Sequence, residues 1–220
     1  MFKAGIEILK KDLKLELRSR YALNSLLMFI LVLVCIFKFA LGEEKISEQV
    51  HAGIIWALIF FTCTGGLSRA FVSEEEKGTS AFLKLTTSSS SVILGKLFFN
   101  ILLSFITVSA LVLLYILLTD LQIAVPLLFV LILFLGTLGL SVVLTIISSL
   151  ISKANSKGNL YPVLSFPLIL PLMLSSINST IICIEGTTFF ALSQDIILLF
   201  SYIIVVTTAS FMLFPFVWQD

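Results

Sequence analysis

Six runs of mostly apolar residues dominate the chain, at roughly 21–41, 53–72, 92–118, 125–151, 160–182 and 196–217. A helix of about 20 such residues crosses the hydrocarbon of a bilayer with its backbone donors and acceptors paired internally. Composition agrees with that reading. Of the 220 residues, 59% are hydrophobic and 12% charged, about half the charged share of an ordinary soluble domain. A soluble chain could not keep that much apolar surface dispersed. The expected fold is an all-α polytopic membrane protein, a single transmembrane domain over residues 1–220 with six transmembrane helices. The basic stretch before the first run is too long for a signal peptide, and no small-x-small cleavage site follows the run. That run is therefore expected to stay as a first span.

Basic residues set the expected orientation. Twelve of the fourteen Lys and Arg fall before the first span, around the second connection or in the fourth, leaving Lys38 and Lys45 on the opposite side. Both termini are therefore expected in the cytoplasm. Glu43, Glu44, Glu48, Asp120, Glu185 and Asp195 fall on the outer side, in loops too short for a folded domain. Over residues 1–20, Phe2, Ile6, Leu9, Leu13 and Leu17 share one helical face, beside Lys3, Glu7, Lys10, Lys14 and Arg18. This is the pattern of an amphipathic helix lying in the membrane interface, near anionic headgroups. Ile8 and Leu15 leave the stripe, which suggests packing on protein as well.

Motifs for chemistry are scarce. No G-x-x-x-x-G-K-[ST] phosphate loop occurs, so any ATP used must be bound by another chain. No catalytic constellation, metal-ligand cluster or resident cofactor is expected, and the chain is not expected to be an enzyme. Cys35, Cys63 and Cys183 read as small buried hydrophobes. His51, the only histidine, stands at the outer mouth of the second span, five residues before Trp56. As a haem contact the pair would be well placed; as ordinary interfacial residues they would simply pack. Asn100, Ser104, Thr107, Ser141, Thr145 and Ser148 are expected to hydrogen-bond between helices. Gly136-Thr137-Leu138-Gly139 offers close helix approach. Pro162, Pro167 and Pro171 fall in the fifth span and predict a bent or discontinuous helix, a candidate gate.

Charge is concentrated between the second and third spans. Arg69 ends the second span, Glu74, Glu75, Glu76 and Lys77 are expected in water, and Gly78 allows a sharp reversal. Thr79 can then cap a short helix whose Phe82, Leu83 and Leu85 offer an apolar face. Ser88–Ser91 form a polar return, and Lys96 anchors the third span at the interface. A short helix parallel to the membrane with an aromatic tip suits a socket on a soluble ATPase. Residues 73–91 are the expected coupling segment, with Gly78, Phe82 and Leu83 as its main contacts and the glutamates as solvated surface.

Taken together these features resemble the permeases of the ABC-2 type. More narrowly, the chain is similar to the heme exporter protein B (CcmB) family of the cytochrome c maturation system. The residues that carry the likeness are Gly53-Ile54-Ile55-Trp56, Arg69-x-Phe71 with acids before Gly78, and Leu94-Gly95-Lys96. In the second half they are Gly136-Thr137-Leu138-Gly139 and Phe166-Pro167-Leu168-Ile169-Leu170-Pro171-Leu172. The family often carries an acidic residue soon after the coupling glycine, where this chain has Ser80, Ala81 and Phe82.

The resemblance implies the membrane subunit of an ABC complex needed for cytochrome c biogenesis. ATP would be bound by a separate cytoplasmic ATPase subunit that engages the segment from Arg69 to Lys96. Two permeases and two ATPases would form the core, joined by a second haem-handling membrane protein and an outer-facing haem chaperone; no nucleic acid is involved. Haem is then the candidate substrate, and a bacterial inner membrane the expected location. The complex would either export haem or use ATP to release the loaded chaperone, and the lack of an evident polar pathway favours mechanical coupling. The alternative is an ABC-2 permease exporting a lipid, glycan or drug.

Overall fold

The fold was obtained as a computed structural model, which describes residues 2–42, 46–67, 71, 74, 78–152, 157–186 and 189–219. Within those stretches, the side chains of 19, 21–22, 80–82, 157–164, 189–191 and 219 lie outside the description. Among the described residues every regular element is a helix. In chain order these are α1 (Phe2–Ser19), α2 (Tyr21–Leu41), α3 (Glu48–Leu67), α4 (Ser80–Thr86), α5 (Ser89–Thr119), α6 (Pro126–Ser152), α7 (Lys157–Glu185) and α8 (Phe189–Gln219). Six of them, α2, α3 and α5 to α8, are long and apolar enough to cross a membrane.

The break between α1 and α2 is made by Arg20, whose φ of 51° places it in the left-handed region. The Glu16 side chain then accepts from the Leu23 backbone N–H at 2.8 Å. One carboxylate thereby satisfies an orphan donor and opposes the positive end of the α2 dipole. At the other end of the bundle, the Val125 N–H donates to the Cys183 carbonyl at 3.1 Å and ties the short α5–α6 connection to α7.

Helix α6 is the hub and packs against α3, α5, α7 and α8, while α2 lies outside on α3 and α5. Two glycines let α6 sit that deep. A Cβ at Gly136 would stand 2.1 Å from a ring carbon of Trp56, and one at Gly139 2.1 Å from Leu172 Cδ1. Close approach expected from sequence is therefore present at both positions. Trp56 is fully buried and donates its indole N–H to Thr180 Oγ1 at 2.8 Å, fastening α3 to α7. The outward faces of α2 and α8 carry Met28, Phe29, Ile36, Ile197, Phe200 and Val205, all exposed, as hydrocarbon contact requires.

Polar residues of the spans divide into two kinds. Asn100 donates to Thr145 Oγ1 at 2.8 Å, linking α5 to α6 as expected. Thr107, Ser141 and Thr145 instead donate to carbonyls three or four residues earlier in their own helices. For Thr107 and Ser141 local back-bonding replaces the expected interhelical bond, whereas Thr145 makes both, since it also accepts from Asn100.

Because Trp56 has no free volume to retreat into, Gly136→Ala should destabilise the bundle by about 1–3 kcal/mol through overpacking. Gly53→Ala, where a Cβ meets nothing within 4 Å, should be neutral or slightly stabilising. Thermal unfolding of the two variants in detergent separates these outcomes.

Candidate functional site

Helix α1 presents two different faces. Phe2, Ile6 and Leu17 of the expected lipid stripe are exposed, whereas Gly5, Ile8 and Asp12 turn inward onto the first turns of α5. Contact there is between backbones. A Cβ at Gly95 would lie 2.7 Å from both the Gly5 carbonyl oxygen and Ile8 Cβ. The expected packing of α1 on protein is present, and Ile8, 4% exposed, is its centre.

One turn beyond that contact is a closed ring of charge. Lys96 Nζ stands 2.9 Å from Asp12 Oδ2 and 2.9 Å from Glu74 Oε1. Lys11 Nζ stands 3.3 Å from Asp12 Oδ1 and 2.5 Å from Glu74 Oε1. Each lysine thus touches both carboxylates, and the four charges sum to zero. Asp12, Glu74 and Lys96 are buried, at 8%, 6% and 3% exposure; Lys11 is half-buried. Glu74 was expected in water, and its burial corrects that expectation; Lys96, near the start of α5, is buried as well. The physical reason is that buried Lys96 and half-buried Lys11 need counter-charges, and desolvated ions are tolerated only when paired. The Lys96–Asp12 contact is Coulombic, because Asp12 Oδ2 has no directed donor among the described residues.

Burial alone would push the Glu74 carboxyl up, but the adjacent Lys96 and Lys11 outweigh it and hold it below its ordinary value of 4.5. Burial likewise pulls Lys11 down, and the bond to Glu74 with the charge of Asp12 more than reverses this, leaving it raised above 10.5. Both shifts favour the charged forms of Glu74 and Lys11.

Phe71 joins this ring to the end of α8. Lys96 Nζ lies 5.9 Å from the centre of its aromatic ring, within cation–π range. On its other side Phe71 packs on Phe214 at 5.4 Å and Trp218 at 6.3 Å between ring centres, and its N–H faces Ser148 Oγ at 3.5 Å. Lys84 of α4 stands 5.9 Å over the Trp218 ring. Both ends of the chain and the segment between α3 and α5 thus meet at one end of the bundle.

Gly78 has φ 66° and open space around it, so the reversal expected there is made, and it depends on backbone conformation. Thr79 occupies the N-cap position of α4 without capping it, and its hydroxyl donates instead to the Glu74 carbonyl at 3.3 Å. On α4, Leu83 is buried and Leu85 is 88% exposed. The expected apolar face is thereby divided, since residues two apart on a helix point nearly opposite ways. Leu83 anchors the helix, and Leu85 is its outward contact. Arg69 and Glu75 lie outside the described residues, as do Glu76, Lys77 and the side chain of Phe82.

At the opposite end, His51 Nδ1 pairs with the Tyr115 hydroxyl at 2.9 Å. His51 borders a cavity of about 750 Å³ together with Lys38, Glu48, Asp120, Gln122 and Ile184. Trp56 is sealed in the core and does not reach it. Helix α7 runs from Lys157 to Glu185 as one element, so of the two expected forms, bent or discontinuous, the discontinuous one is corrected. The Tyr202 hydroxyl of α8 donates to the Leu168 carbonyl, in the turn that Pro171 loosens. Pro167 and Pro171 are exposed on the outside of α7, and the side chain of Pro162 lies outside the described residues. No group of three or more His, Cys, Asp or Glu able to hold a metal occurs among the described residues.

Two members of the ring, Lys11 and Asp12, were not singled out by sequence. The available signal was the line Gly5, Ile8, Asp12, at spacings of three and four on a face about 100° round the helix from the lipid stripe. Removing one member should be costly: Glu74→Gln should lower stability by about 3–5 kcal/mol by leaving buried lysine charge uncompensated. Since the Glu74 carboxyl is depressed in the fold, its contribution is present above about 4.5 and is lost as pH falls through the lower folded value. The Lys11 contribution, from a raised value, holds below about 10.5 and is lost in stronger alkali. Unfolding followed against pH should show the acid loss in the wild type and not in Glu74→Gln.

No curated protein sequence matches the chain. A family model described as "CcmB protein" matches residues 3–218, nearly the whole length. With that coverage, the chain belongs to the CcmB family.

Proposed function

We propose that this chain is the permease subunit of an ATP-binding-cassette complex serving cytochrome c maturation, with α1, α4 and the end of α8 in the cytoplasm. Membership of the CcmB family ties the chain to haem export and cytochrome c maturation, and its apolar helices make it an integral membrane protein. The single observation that carries the reading is the family match over residues 3–218. The lack of a phosphate loop in the sequence supports placing ATP hydrolysis on a separate subunit. The distribution of Lys and Arg supports the orientation, and a bacterial inner membrane is the location that fits it.

In this reading two copies and two ATPase subunits form the core, alongside a second haem-handling membrane protein and a haem chaperone on the outer side. The ATPase grips α4, whose exposed Leu85 fits an apolar socket, while Gly78 sets the angle at which α4 is presented. The buried Leu83 passes the displacement to the bundle. Movement of helices at the opposite end then delivers haem or frees the loaded chaperone. His51 and its cavity face that side, where haem as substrate would be met.

Deletion of the gene should abolish haem staining of c-type cytochromes and leave b-type cytochromes intact. Unchanged c-type cytochromes would refute the reading and favour export of a lipid, glycan or drug. Leu85→Glu should reduce co-purification of the ATPase about tenfold or more, the scale of a central interface residue, without lowering the amount of permease in the membrane. Leu83→Ala should do the reverse, losing folded permease first.

A further inference from the structure

Three separate pieces of chain contribute to the ring of charge: α1 through Lys11 and Asp12, the α3–α4 connection through Glu74, and α5 through Lys96. A surface ion pair would slide and re-form during motion at little cost. This one cannot, because three of its four members are withdrawn from water, and opening it would strand charge in a low-dielectric setting. Beside it the α1 and α5 backbones are in contact at Gly5 and Gly95, leaving no slack for α1 to roll. Phe71, three residues from Glu74, extends the same body to Phe214 and Trp218.

We propose that Lys11, Asp12, Glu74 and Lys96 form a joint that stays closed throughout the ATP cycle. Through it, α1, the α3–α4 connection and the head of α5 move as one rigid body. The four side chains act as positioning residues that transmit the ATPase stroke to the interfacial helix. The inference rests on the reading above, in that the stroke comes from an ATPase seated at α4. It adds that α1 travels with α4 and so drags its exposed apolar face, Phe2, Ile6 and Leu17, through the membrane surface. The buried ring makes α1 a moving part of the machine, where an interfacial anchor would have stayed still while α4 moved.

The test measures distances between spin labels in the purified complex, with Cys35, Cys63 and Cys183 replaced by serine. Labels at Lys14→Cys and Thr86→Cys read α1 against α4; labels at Lys14→Cys and Leu127→Cys read α1 against the opposite end of α6. All three sites are exposed. Between the nucleotide-free and the ATP-and-vanadate-trapped complex, the Lys14–Thr86 distance should stay constant and the Lys14–Leu127 distance should shift. Adding Glu74→Gln should broaden the Lys14–Thr86 distribution. It should also cut haem attachment to c-type cytochromes per ATP hydrolysed by about 5–150-fold, the usual range of a coupling energy. If Glu74→Gln fails to accumulate, Lys11→Gln at the half-buried corner serves for both readouts.

A Lys14–Thr86 distance that changes on trapping overturns the proposal, because α1 then does not travel with α4. So does an unmoved Lys14–Leu127 distance, since α1 then does not travel. A narrow Lys14–Thr86 distribution in Glu74→Gln, or in Lys11→Gln where that stands in, also overturns it, since something else holds α1. Absence of any co-purifying ATPase is a different result and refutes the function proposed above.

Discussion

Two lysines and two carboxylates, each in contact with both of its opposites, hold together the end of the bundle where the chain begins and ends. Remove the ring in thought and the parts around it lose their reason to be where they are. Helix α1 would keep its contacts around Gly5, Ile8 and Gly95, and among the described residues of the α3–α4 connection Phe71 would remain packed on the bundle. Ion pairs of this kind add little to stability relative to well-packed hydrocarbon. Their value is directional. A hydrophobic patch accepts several registers of α1 against α5, whereas alternating charge at contact distance accepts one.

The aromatic cluster does complementary work. Phe71, Phe214 and Trp218 supply apolar area where the spans end, and the lysines at either side, Lys96 and Lys84, lie over their faces. Charge and hydrocarbon are interleaved there instead of being sorted into layers. That suits a depth at which the surroundings change from headgroup to water within a few ångströms, since each side chain keeps an acceptable neighbour on one side.

Much of the fold was legible because hydropathy is a one-dimensional signal that needs no knowledge of neighbours. Expected and observed spans agree within three residues at most ends, while α3 begins five and α8 seven residues before its expected run. Helix α3 starts at Glu48, five residues before its apolar run, because the Ser47 carbonyl accepts from Val50 and His51. Ser89, Ser90 and Ser91, read as a polar return, are the first turn of α5. The small-residue signals of Gly136 and Gly139 were also readable, since a missing side chain means close approach wherever the partner comes from.

The site was legible in outline and opaque in detail. That the segment after α3 is charged and turns at a glycine could be read from the sequence. That Glu74 is buried could not, because its lysine partner on α1 is 63 residues away in the chain. A charge run looks the same whether one of its members is solvated or enclosed. Leu83 and Leu85 show the same limit. Both are leucines in a seven-residue helix, and only the direction in which α4 is laid on the bundle separates anchor from contact.

That division of labour has a consequence for length more than for identity. The turn at Gly78 fixes where α4 begins, and each residue added after it rotates the remainder of the helix by about 100°. A single insertion between Gly78 and Leu83 would swing the outward leucine toward the bundle and the inward one toward water, although every residue type was kept. Substitutions on α4 can therefore be graded and tolerated one by one, while insertions and deletions in so short a helix are all-or-none. Among related chains, the count of residues from that glycine to the exposed leucine should vary less than the residues themselves.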